Sequence, residues 1–130
     1  MNKIEKKPYG YKLTFGDFIG LDEMNQWVED SKKTLESAPK EFGIFVDMRT
    51  LKPLAQEVRG PMNDGQQLYK KSGMVRSVVI VDNSITKMQF KRIAKDSGIY
   101  EWERYIDASE VADWEKVGED WITNGTDPDK

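Results

Sequence analysis

The sequence predicts an α/β layer fold built on a largely parallel sheet. The apolar period switches repeatedly between two and about 3.6 along the chain. The run Phe42 to Asp47 is continuously apolar up to its last residue, as suits a strand covered on both faces. The connections are short enough that successive strand-helix-strand units should cross over with a right hand.

Each element follows from its own pattern. Tyr9 to Phe15 alternates aromatic or aliphatic with small or polar residues, a half-buried strand. From Leu21 the apolar positions fall at Leu21, Met24, Val28 and Leu35 with Trp27 beside them, a helix ending near Ser37-Ala38-Pro39. After the Phe42 strand, Gly60-Pro61 divides a helical stretch into a short helix over Lys52 to Arg59 and a second from Pro61 to Ser72-Gly73, because proline removes a donor and crowds the preceding turn. Arg76 to Asp82 is the most strand-like stretch. Asn83 or Ser84 can cap the next helix, which runs to Gly98. Glu101 to Asp107 reads as a polar strand near a sheet edge. The closing helix places Val111, Trp114, Val117, Trp121 and Ile122 on one face, with Asp107 and Glu110, or Ser109, as its cap.

Length and composition narrow the chemistry. The 130 residues suit one domain, read as residues 1–123 followed by a polar tail, 124–130, expected to fray. There is no cysteine and no histidine. Disulfides, Cys/His zinc sites, thiolate nucleophiles, Ser-His-Asp triads and imidazole proton shuttles are therefore excluded. No glycine pattern matches a phosphate loop or dinucleotide fingerprint, and no catalytic residue, cofactor or metal site is assigned. No apolar run reaches the roughly 20 residues of a membrane span, and Met1 to Lys7 lacks the apolar region of a signal peptide, so a cytoplasmic protein is expected.

The net charge of −3 conceals an uneven distribution. Residues 66–100 carry seven basic and two acidic side chains, a net +5, whereas residues 101–130 carry three basic and ten acidic ones, a net −7. Lys87, Lys91 and Lys95 recur every four residues and so share one ridge of their helix. One reading is a docking ridge for an anionic partner; the plainer reading is a solvated face balanced by the acidic final helix. The opposed segments also suggest pairing between copies in a homodimer. Nucleic acid is disfavoured, because the chain is acidic overall and no basic stretch interleaves aromatics for base stacking.

Asp47, Asp82 and Asp107 each end a strand, where ligands of parallel sheets gather. Together with Arg49 as an anion clamp, Asp47 and Asp82 could form a Mg²⁺ or phosphate site. Helix capping is the commoner explanation of such aspartates. Thr50 sits where a phosphate would face a helix N-terminus, or where a threonine would simply cap one. Trp27, Trp102, Trp114 and Trp121 could line an apolar ligand cavity, although their spacing suits core positions first.

The order of elements, with Val46-Asp47-Met48-Arg49, the Val75 to Asp82 strand entered at Arg76, Glu103-Arg104-Tyr105-Ile106-Asp107, and Ala112-Asp113-Trp114 through Trp121-Ile122, resembles the SpoIIAA-like proteins, the STAS/SEC14-type branch of the anti-sigma-factor antagonist fold, over about Tyr9 to Ile122. The resemblance implies a mixed, largely parallel sheet covered by about four helices, and a domain that works by binding a protein partner or small ligand rather than by catalysis. In the anti-sigma antagonists a serine in an Asp-Ser-Ser-Gly motif is the phosphorylation switch. The corresponding stretch here, Leu51 to Gln56, holds no serine, and Thr50 is a neighbour rather than a match. The SEC14-like direction implies an apolar ligand cavity.

Overall fold

The computed structural model describes residues 1–130. Five strands form one sheet in the order β1 (Asn2–Lys7), β2 (Gly10–Phe15), β3 (Phe42–Asp47), β4 (Met74–Val81), β5 (Glu103–Asp107). Only β1 and β2 pair antiparallel; the other three pairings are parallel. Four helices accompany them, α1 (Leu21–Leu35), α2 (Gln56–Ser72), α3 (Ser84–Ser97) and α4 (Trp114–Asn124), with a 3-10 turn over Ile99–Glu101. The mixed, largely parallel sheet under four helices agrees with the expectation.

Strand alternation divides the interior into two cores. Phe42, Ile44, Val46, Val79 and Val81 face the side where α1, α2 and α3 contribute Met24, Trp27, Val58, Met62, Tyr69 and Ala94. Phe45, Val78, Ile80 and Ile106 face the other side, where α4 contributes Trp121 and Ile122. Successive crossovers advancing in one direction with one hand must stack their helices on one face. The final helix, free of any crossover, covers the opposite face.

Three local expectations change. The N-terminal residues form strand β1, unrecognised in the sequence because Asn2-Lys3-Ile4-Glu5-Lys6-Lys7 has one apolar residue; it is an edge strand, where charge discourages pairing with other chains. The predicted break at Gly60-Pro61 does not occur, and Lys52 to Ala55 is not helical. Pro61 is the sixth residue of α2, and the carbonyl it leaves unpaired belongs to the exposed Glu57 in the first turn. Gly60 offers no Cβ to the proline ring, and the buried stripe Val58, Met62, Gly65, Tyr69 runs through the junction. The tail is not isolated from the domain: residues 125–130 lie against α3 and β5, as described below.

The polar strand β5 lies at the sheet edge as expected. Asn83 caps α3, its Oδ1 accepting from Ile85 N at 2.8 Å and Thr86 N at 3.0 Å, and Gly98 closes the helix with a positive φ. The four tryptophans do not enclose a shared cavity. Trp27 packs between Phe15 and Tyr69, Trp114 and Trp121 belong to the α4 side, and Trp102 lies under the Lys70 ammonium.

Candidate binding site

The strand-end aspartates take separate roles. Asp47 is buried and bound on both oxygens by Arg49, with Nε on Oδ1 at 3.0 Å and a terminal guanidinium nitrogen on Oδ2 at 2.9 Å. The Arg49 guanidinium lies 4.1 Å from the centre of the Trp114 ring. Its pKa is raised, first by its hydrogen bond to Asp47. Asp107 closes a turn, its Oδ1 accepting from Ser109 N and Oγ at 2.9 and 2.6 Å, while its buried Oδ2 has no partner. It does not cap α4, which begins at Trp114 after Asp113. Asp82 is exposed, and the cap expected of it belongs to Asn83. No three carboxylates come together in a metal-holding group. Thr50 is exposed in a turn and precedes α2 by six residues, so it does not cap that helix.

The basic ridge of α3 has a different setting. Its counter-charges come from the C-terminal segment rather than from α4, whose Glu115 and Asp120 pair with Lys12 and Lys116. Gly125 turns the chain at the end of α4 with φ of 70°, its N–H and that of Thr126 bonding back to the Trp121 and Asp120 carbonyls. The next residues then reach α3. Asp129 accepts from the Tyr100 hydroxyl and pairs with Lys91 at 3.2 Å and Lys87 at 3.9 Å. Asp127 is held bidentate by Arg104, Nε to Oδ1 at 3.0 Å and a terminal nitrogen to Oδ2 at 3.1 Å. The Asp129 N–H donates to Asp127 Oδ1 at 2.9 Å, which fixes the two carboxylates relative to each other across Pro128.

The side that faces these carboxylates is aromatic. Arg104 comes from β5 and its side chain is 9% exposed. Its guanidinium lies between the Tyr100 ring at 3.8 Å and the Trp121 ring at 4.3 Å, and also donates to the Tyr100 and Glu103 carbonyls. Trp121 is itself pinned by its indole N–H on the Ser77 carbonyl at 2.9 Å. Lys95 lies over the Tyr100 ring at 5.0 Å and forms no ion pair. Beyond it, Met88, Lys91, Arg92, Lys95 and Asp96 line an open depression of about 430 Å³. Burial, then the bond to Asp129, pushes the Tyr100 hydroxyl up to about 12. Arg104 holds Asp127 below the usual carboxylate range.

Three cations, Lys87, Lys91 and Arg104, thus meet two carboxylates of the same chain, with Lys95 beside them over the Tyr100 ring. The three lysines were legible as a ridge. Tyr100, Arg104, Asp127 and Asp129 were not singled out as site residues, although an arginine inside a short strand must find a partner if it is buried, and an Asp-Pro-Asp segment is an obvious one.

The sequence matches no family model and no curated protein. Among solved structures it is similar to an uncharacterized DUF3478 family protein with a SpoIIAA-like fold from Shewanella loihica PV-4, with a TM-score of 0.65, 14% identity, and coverage of 94% of this chain and 92% of that one. At this identity the likeness is one of architecture, and with the sheet order and helices above it establishes that the chain adopts the SpoIIAA-like fold.

Proposed function

We propose that the protein is a non-enzymatic binding module that docks an acidic segment of a partner protein on the face formed by α3, the 3-10 turn and β5. The observation that carries this reading is the seating of Asp127 and Asp129 on Arg104, Tyr100, Lys87 and Lys91. A surface that holds two carboxylates in fixed geometry has the donors and the field to recognise carboxylates from elsewhere. Lys95 and Arg92 extend the cationic strip beyond the residues Asp129 engages, and the exposed Met88 beside them supplies apolar contact area. The strand-end reading receives no such support, since Arg49 already occupies both oxygens of Asp47.

Titration of the ¹⁵N-labelled protein with a hexa-aspartate peptide tests the reading. Shifts should concentrate at Lys87 to Lys95, Tyr100 and Arg104, weaken as salt is raised toward 0.5 M, where the Debye length is only about 4 Å, and diminish in a Lys91→Glu/Lys95→Glu variant. No shifts, or shifts equally large in that variant, would overturn it.

A further inference from the structure

We infer that the segment Gly125–Lys130 is a displaceable resident of the docking face, so that the protein holds its own binding site in a self-occupied state and a partner carrying two carboxylates two residues apart must evict it. This rests on the acidic-segment reading above and adds its regulation.

The attachment of the segment is polar throughout. None of its residues belongs to either hydrophobic core. It is held by Asp127 on Arg104, by Asp129 on Tyr100, Lys91 and Lys87, and by backbone bonds from Gly125 and Thr126 to the end of α4. Contacts of this kind open locally without unfolding the rest of a domain. Gly125, with its positive φ, supplies the pivot.

The receptor does not need the segment in order to form. Arg104 is ordered by the Tyr100 and Trp121 rings and by two carbonyls, and Tyr100 sits within the 3-10 turn that follows α3. Lys87, Lys91 and Arg104 hold the two carboxylates, and Lys95 and Arg92 beside them face one further carboxylate, Asp96, so the filled site keeps a net positive charge and attraction for a further anion. A partner could begin on Lys95 and Arg92, which Asp129 leaves unpaired, and advance as the segment peels away. This order of events suits a competitive exchange between two acidic segments.

Tethering sets the size of the effect. A short flexible linker gives an effective concentration in the millimolar range. If the same segment supplied in trans binds with a dissociation constant near 0.1 mM, the tethered copy occupies the site about nine-tenths of the time. Apparent affinity for any competitor then falls by about tenfold, because only the open fraction binds.

The test compares the intact chain with an Asp127→Asn/Asp129→Asn variant, both titrated by NMR with a peptide having the sequence of residues 123–130. The variant should bind about tenfold more tightly. In the intact chain, bound peptide should speed amide exchange at Asp129, whose N–H is otherwise held by Asp127. Equal affinity for the two proteins would overturn self-occupation while leaving the docking face in place. Binding by neither would overturn both. If the double variant melts much lower than the intact chain, a Lys87→Gln/Asp129→Asn variant, which leaves the Arg104–Asp127 pair intact, makes the same comparison and should still bind more tightly than Lys87→Gln alone. A molecular mass twice that of the chain, with the segment exchanged between copies, would overturn occupation by a protein's own segment.

Discussion

Replacing Arg104 by lysine keeps the charge and removes the geometry. A lysine ammonium cannot bond both oxygens of Asp127 while donating to the Tyr100 and Glu103 carbonyls, nor can it present a flat cation to the rings of Tyr100 and Trp121. Two carbonyl bonds at a net of about 1 kcal/mol each, and stacking on two rings at about 0.5–1 kcal/mol each, set an upper bound of about 3–4 kcal/mol. Water reaching the partly open carbonyls and the surviving ion pair reduce this to about 2 kcal/mol. An unfolding entropy of about 2.1 cal/mol/K per residue, over the 130 residues, converts 2 kcal/mol to a fall in Tm of about 7 °C. Urea unfolding followed by tryptophan fluorescence, together with a thermal melt, measures both quantities. A loss under about 0.5 kcal/mol would refute the claim that the planar guanidinium organises this end of the molecule.

Other outcomes follow from the same geometry. Gly65→Ala should cost about 1–3 kcal/mol despite alanine's higher helix propensity, because the added methyl meets the Trp27 ring, which Phe15 and Tyr69 prevent from moving; calorimetry would show it, and an unchanged Tm would count against this packing. Burial raises the Tyr69 and Tyr100 hydroxyls to about 12, so the unfolded chain ionises first and stability, full below about pH 10, should fall between about pH 10 and 12; urea midpoints that stay level across that range would contradict it. For Asp127, whose pKa Arg104 lowers, the sign is opposite: its contribution is present above about pH 3.9 and lost as pH falls below that value, so the protection of the Asp129 and Lys130 amides, relative to their intrinsic exchange rates, should fall there ahead of global unfolding.

Legibility followed how local each signal is. The Phe42 to Asp47 strand, Asn83 as the cap of α3 and Gly98 as its stop are local signals whose physics is complete within a few residues, and the structure reproduces them. Pro61 misled because the rule that proline ends a helix holds for an isolated segment, whereas the Val58, Met62, Gly65, Tyr69 stripe is fixed by α1 and the sheet. Strand β1 was hidden because its pairing with β2 is a backbone matter that its charged side chains do not advertise. At the site, helical spacing placed Lys87, Lys91 and Lys95 on one ridge. The partner of Lys87 and Lys91 lies 38 to 42 residues further along the chain, and only the fold brings Asp129 to them. Arg49, expected as an anion clamp beside Asp47 and Asp82, bonds both oxygens of Asp47, an internal pairing that strand-end position alone does not reveal.

The most direct measurement is the backbone ¹⁵N heteronuclear NOE of residues 125–130 in the intact chain, recorded at low salt before and after adding the acidic peptide. Rigid values without peptide, falling to those of a flexible terminus as the Lys87, Lys91 and Tyr100 resonances shift, would show an acidic segment exchanging for the resident one on this face. A segment that is flexible from the outset, or one that stays rigid while the peptide binds, would contradict the account.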